Sequence, residues 1–317
     1  MQFETVRLIL GDQLNSEHSW FQSPDNRVLY LIAELKQEST YVAHHIQKVC
    51  AFFSAMEQFA RERQSEGHQV LQLTLDDTAS FDGLEQVLQH YVSEVGASKL
   101  EYQRPDEYRL LEQLARLKLD GVVMRCVDSE HFLLPFEEIE SQFPYGKHIM
   151  MEHFYRRMRK RFDILMQDGK PVGGKWNYDA NNRNKLKAKD IEQLPHPLMF
   201  STNVREISER LARHNIKTIG NLEDDLLWPV NRAQSLSLLA HFCQVCLPLF
   251  GRFQDAMTGQ HDAKWSLYHS RISFSLNSKL LHPQEVIDAS LAAFHSNPDV
   301  DISPVSYTHL RAHETHE

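Results

Sequence analysis

Five short runs rich in branched and aromatic residues, each followed by an amphipathic stretch, occupy the first 130 residues and constrain the fold more than any other feature of the chain. The runs are VRLIL (6–10), VLYLIAEL (28–35), VLQLTL (70–75), KLEYQ (99–103) and GVVMRC (121–126). Between them apolar residues recur at three- and four-residue spacing, which predicts helices over 41–67, 83–95 and 106–119. Strands alternating with helices predict a doubly wound parallel sheet of Rossmann-like type. In such folds ligands bind beyond the carboxyl ends of the strands.

From residue 148 the strand signals fade, and helical patterns cover 148–167, 203–214, 232–250, 264–280 and 284–295. The stretch PVGGKWNYDANNRNKLKAKD (171–190) separates two of them and has the composition of a long loop. A chain of 317 residues is too long for one ordinary core, so two domains are expected. The expected division is an α/β domain at 1–145, a basic helix and long loop at 146–200, and a mostly helical part at 201–305. Residues 306–317, SYTHLRAHETHE, change character abruptly and read as a foreign tail whose histidines are not ligands.

No apolar run approaches the roughly 18 residues that span a bilayer, and the first ten residues lack the pattern of a signal peptide. A cytoplasmic, non-membrane protein is therefore expected. Cys50, Cys126, Cys243 and Cys246 are too few and scattered for a disulfide framework and are expected as reduced thiols. The net charge of −9 argues against nucleic acid as a partner only if it is read as one number. Residues 146–190 hold 12 Lys/Arg against 5 Asp/Glu, and such a block is able to face phosphates.

LILGDQLN (8–15) puts Gly11, Asp12 and Gln13 directly after the first strand, at the ligand edge of the sheet. Gly11 there permits a turn and Asp12 a cap, or the pair faces a ligand; neither a G-x-G-x-x-G nor a phosphate-cradling loop is present. Glu34, Glu38 and Tyr41 follow the second strand, either as a solvated strand end or as acceptors and a stacking ring for a heteroaromatic ligand. His44 and His45 are expected within a helix, about 100° apart and unable to form one metal face. Cys243 and Cys246 have redox spacing but lie in an apolar helix without a second Cys/His pair, so two core cysteines are expected.

YRRMRKR (155–161) distributes cations over more than one helix face. That is a solvated face, or, with Lys175, Trp176, Tyr178, Asn181, Asn182, Arg183 and Lys185 in the following loop, a surface for phosphates and bases. SLYHSRISFSLNSKLLHPQEV (266–286) gathers hydroxyls, His269, Arg271 and Asn277, which suits an amphipathic helix or a pyrophosphate site.

Six segments in register, LILGDQLN, the YVAHH-to-FSAM stretch (41–56), MEHFYRRMR, PVGGKWNYDANNR, FQDAM (253–257) and HSRISFSLN, resemble the iron–sulfur bacterial cryptochromes and photolyases, also called prokaryotic (6-4) photolyases. The resemblance runs over residues 3–305. It implies an α/β antenna domain followed by a helical FAD domain, incomplete here. It places FAD on His269, Ser270, Arg271, Ile272, Ser273 and Asn277. Here His269 stands for the Thr of a T-S-x-L-S pattern, and Lys279 stands where many relatives have Gly. It implies a 6,7-dimethyl-8-ribityllumazine antenna at Asp12, Gln13, Glu34, Glu38 and Tyr41, and DNA contacts from Lys175, Trp176, Tyr178, Arg183 and Lys185.

The activity implied is light-driven, FAD-dependent repair of (6-4) photoproducts in UV-damaged DNA, by a monomer. Catalytic residues and the cysteines of a [4Fe–4S] cluster are expected only in the intact parent, beyond this chain's end, so the chain alone is expected to be inactive and to hold no metal. A flavin photoreceptor without repair activity, and a nucleotide-binding transferase on the same fold, are the competing functions.

Overall fold

The computed structural model describes residues 2–178, 184–223 and 225–306. The expectations for Asn181, Asn182, Arg183 and residues 307–317 lie outside these. Five strands, β1 (Thr5–Ile9), β2 (Val28–Ala33), β3 (Gln69–Leu73), β4 (Lys99–Gln103) and β5 (Val123–Val127), pair in parallel in the order β3-β2-β1-β4-β5. Leu8 of β1 lies level with Leu31 on one side and Tyr102 on the other. Parallel pairing requires crossovers, and helices supply them. The helices of this part are α1 (Lys36–Thr40), α2 (Ile46–Ser65), α3 (Leu75–Thr78), α4 (Leu84–Glu94) and α5 (Tyr108–Arg116).

Alternation along the strands loads both faces of the sheet. Val6, Leu8, Leu31, Leu73, Leu100 and Tyr102 join Leu84, Val87 and Leu88 of α4 and Leu110 and Leu114 of α5 in one buried cluster. Tyr30, of opposite parity to Leu31, packs on Phe21, which meets Phe59 of α2 edge-on. Because strand order reverses between β1 and β4, the loops after these two strands diverge and flank the crevice where doubly wound sheets take ligands.

The rest is mainly helical: α6 (Ile139–Gln142), α7 (Met151–Arg161), α8 (Ala188–Glu192), α9 (Arg205–Arg213), α10 (Arg232–His241), α11 (Leu247–Phe253), α12 (Ser273–Asn277) and α13 (Pro283–Ser296). Two-residue ladders join β6 (Met166–Gln167) to β7 (Lys170–Pro171) and β8 (Thr202–Asn203) to β9 (Asp225–Leu226). The chain divides into two compact units. The first is Met1–Glu130 with Met199–Gln234 and Asn277–Leu280, and the second is His131–Leu198, Ser235–Leu276 and Leu281–Glu317.

Residues 199–234 thus belong with the sheet, although their helical pattern suggested the helical domain. The physical reason is polar. Arg210 of α9 is 1% exposed and donates to Glu34 (2.8 Å), Glu57 (2.7 Å) and Glu206 (2.6 Å). Trp228 Nε1 donates to Gln47 and Asn231 Nδ2 to Gln58, both on α2. The partners on other elements, Glu34, Glu57, Gln47 and Gln58, leave no periodicity in a sequence.

Other elements depart from their expected bounds for local reasons. α2 begins only at Ile46, because His45 is its cap and accepts the Gln47 N–H at Nδ1, so His44 and His45 are not helical. A Cβ on Gly220, at φ +79°, would lie 1.9 Å from His45 Nε2, which leaves room for glycine alone. α7 stops at Arg161, and Asp163, Leu165 and Asp168 turn to positive φ. The expected helix over 264–280 is broken by Leu267 (φ 46°), Arg271 (φ 56°) and Lys279 (φ 61°), leaving five residues of α12.

Arg232–Phe253, with a π turn at Phe242–Cys246, is 22 residues and apolar enough to cross a membrane by length and composition. This corrects the expectation that no run approaches that length. Its Leu238, Leu239, Phe242, Cys243, Cys246, Leu247, Phe250 and Phe253 are all buried, as in a core helix.

Replacing Arg210 by Met leaves three carboxylates around an apolar side chain. The expected loss is about 3–5 kcal/mol, the range for removing one partner of a buried pair, read as a lowered urea midpoint.

Candidate functional site

The carboxyl edge of the sheet is filled from within. Gly11 passes so close to α2 that a Cβ would lie 3.0 Å from the Met56 sulfur. Gln13 is fully buried. Its Oε1 accepts the Leu10 N–H (3.1 Å), and its Nε2 donates to the carbonyls of Gln103 (3.2 Å) and Arg104 (3.3 Å), tying the β1 loop to the β4 loop.

Between the same two loops stands Lys279. Its Nζ donates to the Asp12 carbonyl (2.8 Å) and to Asp106 Oδ2 (2.6 Å) and lies 3.7 Å from the Asp12 carboxylate. Burial would lower its pKa, but the two aspartates raise it and hold the ammonium charged. Burial likewise pushes the Asp12 carboxyl up, against the pull of Lys279. The crevice therefore presents two aspartates and one engaged cation.

Of the other expected edge residues, Glu34 is fully buried, with one oxygen accepting the Leu75 N–H (2.9 Å) and the other Arg210. Like Gln13, it is engaged inside the protein and offers no atom to a ligand, which corrects that part of the expectation. Burial raises the Glu34 carboxyl to about 8, since Arg210 is shared with Glu57 and Glu206. Glu38 grips Arg109 of α5 through two hydrogen bonds (3.0 and 2.6 Å), and the guanidinium lies 4.6 Å from the centre of the half-exposed Tyr41 ring. Tyr41, Glu38, Arg109 and the one-third-exposed Asp12 and Asp106 are partly open to solvent at this edge.

In the second unit, His269, Ser270 and Arg271 line a cleft with Pro195, His196, Pro197, His241 and Cys246. Its empty volume is about 230 Å³. FAD joins two ring systems through a pyrophosphate, and the groups of this cleft that would meet a pyrophosphate are in part already engaged. Arg271 donates to the Leu198 carbonyl (2.5 Å) and stacks on Trp265, with its pKa lowered by burial, so its guanidinium is already engaged. Ile272 is a buried core residue, while Ser273 and Asn277 are exposed at the two ends of α12. Burial lowers the His269 pKa, so its ring is neutral near pH 7. These residues supply a ring-sized wall and not a complete dinucleotide site.

Burial raises Cys243 and Cys246 to about 11, which keeps them as thiols. Among the described residues no group of three or more His, Cys, Asp or Glu is arranged to hold a metal.

On the basic stretch, Lys175 and Lys185 are exposed, and the Tyr178 hydroxyl donates to the Val172 carbonyl (3.1 Å). Trp176 is half-buried, with Arg156, Arg159 and Lys160 of α7 at 5.5, 5.2 and 5.6 Å from its ring centre. Arg159 itself is fully buried, donating to the carbonyls of Ile164 and Leu165.

Residues 7–227 match the family model described as deoxyribodipyrimidine photo-lyase-related protein. The chain belongs to that family. It is 30% identical over 291 residues to the (6-4) photolyase of Agrobacterium fabrum (strain C58 / ATCC 33970), an alignment covering 91% of this chain and 56% of that protein. It is 27% identical over 197 residues to an uncharacterised protein of Acanthamoeba polyphaga mimivirus, covering 59% of this chain and 97% of the viral one. Among solved structures it is similar to a class III photolyase from Agrobacterium tumefaciens (TM-score 0.57, 11% identity, 98% of this chain and 57% of that one). A cryptochrome from Synechocystis sp. PCC6803 is as similar (TM-score 0.57, 12% identity, 98% and 59%). At these identities the structural likeness shows the fold, and the chain spans a little over half the length of the photolyases it matches.

Asp106, Arg109 and Arg210 were not among the residues singled out from this photolyase-related sequence. For Asp106 a signal existed, because it follows β4 at the switch point as Asp12 follows β1. The partners that matter at the sheet edge are remote, Glu38 lying 71 residues from Arg109 and Glu34 176 residues from Arg210, so the sequence does not mark them.

Two measurements follow from this geometry. In the unfolded chain Glu34 ionises near 4.5 and in the folded protein near 8, so the folded state holds an extra proton between these values. The stabilisation this brings is complete below pH 4.5 and is lost as pH rises through about 8. Glu34→Gln is expected to flatten that decline in a series of urea titrations from pH 5 to pH 9. Lys279→Ala removes the buried cation while leaving a Cβ at φ 61°. Lys279→Gly is expected to unfold less easily than Lys279→Ala by about 1 kcal/mol, because only glycine takes the left-handed conformation without cost.

Proposed function

We propose that this chain belongs to a light-driven, FAD-dependent photolyase that repairs (6-4) pyrimidine photoproducts in UV-damaged DNA. In this reading the α/β unit carries the antenna and the basic stretch around α7 meets the DNA. The observation that carries the reading is 30% identity to a (6-4) photolyase sustained over 91% of this chain.

The edge groups support a small antenna such as 6,7-dimethyl-8-ribityllumazine. Tyr41 offers a ring face, Glu38 and Asp12 offer acceptors, and Arg109 fixes both Glu38 and the Tyr41 ring. A transferase acting on nucleotide phosphates is disfavoured at this edge, because Asp12 and Asp106 would repel an anion and Lys279 is already engaged by them. The residues of the second unit do not by themselves enclose FAD, so the chain alone is proposed to hold the antenna but no stoichiometric flavin, and to leave (6-4) lesions unrepaired. Its place is the cytoplasm, with a monomer as the working form.

The test is an absorption spectrum after reconstitution with equimolar lumazine and FAD followed by gel filtration, paired with blue-light treatment of an oligonucleotide bearing one (6-4) lesion. The expected result is a retained lumazine band, no flavin band and no repair. Loss of the lumazine band would overturn the antenna assignment, and a stoichiometric flavin band would overturn the statement about FAD.

A further inference from the structure

The ring of Trp176 has three cations within 5.6 Å of its centre, all from α7. An aromatic residue that stacks on bases must keep a face free for them. Here the ring quadrupole is engaged by guanidinium and ammonium groups, an attraction that strengthens as the partners lose water. Arg159 is the fixed member. It has no exposed surface, and its position is set by the carbonyls of Ile164 and Leu165 and by the Tyr155 hydroxyl (3.4 Å). Arg156 and Lys160, one helical turn apart, share the ring and remain accessible. Lys160 makes no ion pair among the described residues, whereas Arg156 also meets Glu152 (2.5 Å).

We propose that Trp176 is a positioning residue that holds Arg156 and Lys160 as a preformed pair for two phosphates of a DNA backbone, and is not a platform for bases. The proposal rests on the DNA-facing part of the function proposed above, and it reassigns the role of one residue within it. The physical gain is one of order. Long cationic side chains lose rotamer freedom when they engage phosphate. A ring that already restricts both of them removes part of that cost before DNA arrives. Exposed Arg157, Lys175 and Lys185 add cations along the same stretch of sequence.

The experiment measures binding of the chain to an undamaged 20-base-pair duplex, in the dark and without flavin, across a series of salt concentrations. Wild type is compared with Trp176→Phe, Trp176→Leu, the double variant Arg156→Gln/Lys160→Gln, and the triple variant adding Trp176→Leu. Circular dichroism checks that each is folded. Trp176→Phe keeps a ring face and is expected to bind within about threefold of wild type. The double variant is expected to bind roughly tenfold more weakly at low salt, with the slope of log affinity against log salt reduced by about 2. Trp176→Leu is expected to follow it in the same direction, and the triple variant to match the double one.

A base-stacking role gives the opposite pattern. Trp176→Leu would then weaken single-stranded DNA with an unchanged salt slope, and its loss would add to that of the double variant; either result overturns the proposal. If wild type fails to bind the duplex, the surface and the DNA-facing part of the proposed function fall together. If it binds but Trp176→Leu is silent, only the role of Trp176 falls. Chromophore retention is read separately and bears on neither outcome.

Discussion

Lys279 places an ammonium group between Asp12 and Asp106 at the point where the strand order of the sheet reverses, and the chemistry of that edge follows from it. Doubly wound sheets usually offer this crevice to a ligand, often to phosphates near a glycine-rich turn. Here a lysine of the same chain fills it, 2% exposed, in a left-handed backbone conformation that favours glycine. Two aspartates and Gln13 complete the plug. Tyr41, Glu38, Arg109 and part of the Asp12 carboxylate remain accessible at the rim.

The same economy of charge runs through the rest of the chain. Arg210 binds Glu34, Glu57 and Glu206 at once and fastens α9 to the sheet unit. With three carboxylates for one buried guanidinium, the most buried carboxyl, Glu34, stays protonated well above its ordinary range. Arg159 does for the end of α7 what Arg210 does for α9, capturing carbonyls where the backbone leaves the helix. Arg159, one of the cations that make residues 146–190 look uniformly basic, is thus an internal fastener, and the surface left to phosphates is narrower than the count of Lys and Arg suggests.

Membership of the photolyase-related family and the observed fold agree, and both concern the part of the chain that the sequence describes best. The helical residues expected to hold FAD are the instructive case. His269, Ser270 and Arg271 do line a common cleft, but Arg271 is turned to the Leu198 carbonyl and Ile272 is core. A segment with the residue types of a pyrophosphate site therefore forms one wall of a cleft in which its arginine is already engaged by the backbone.

The five strands, their order of appearance and the crossover helices were legible in the sequence, because burial of a parallel sheet imposes periodicities of two and of three to four residues on nearby positions. The carboxyl edge of the sheet was legible too, since Gly11, Asp12 and Glu38 follow the first two strands. Which of the residues there are engaged inside the protein was not. Gln13 and Glu34 are engaged inward by groups from β4, α3 and α9, and Lys279 reaches its aspartates across 173 and 267 residues of chain. A hydrogen bond between distant residues imposes no spacing on the sequence, so only the tertiary structure decided which polar side chains hold the protein together and which remain free to act.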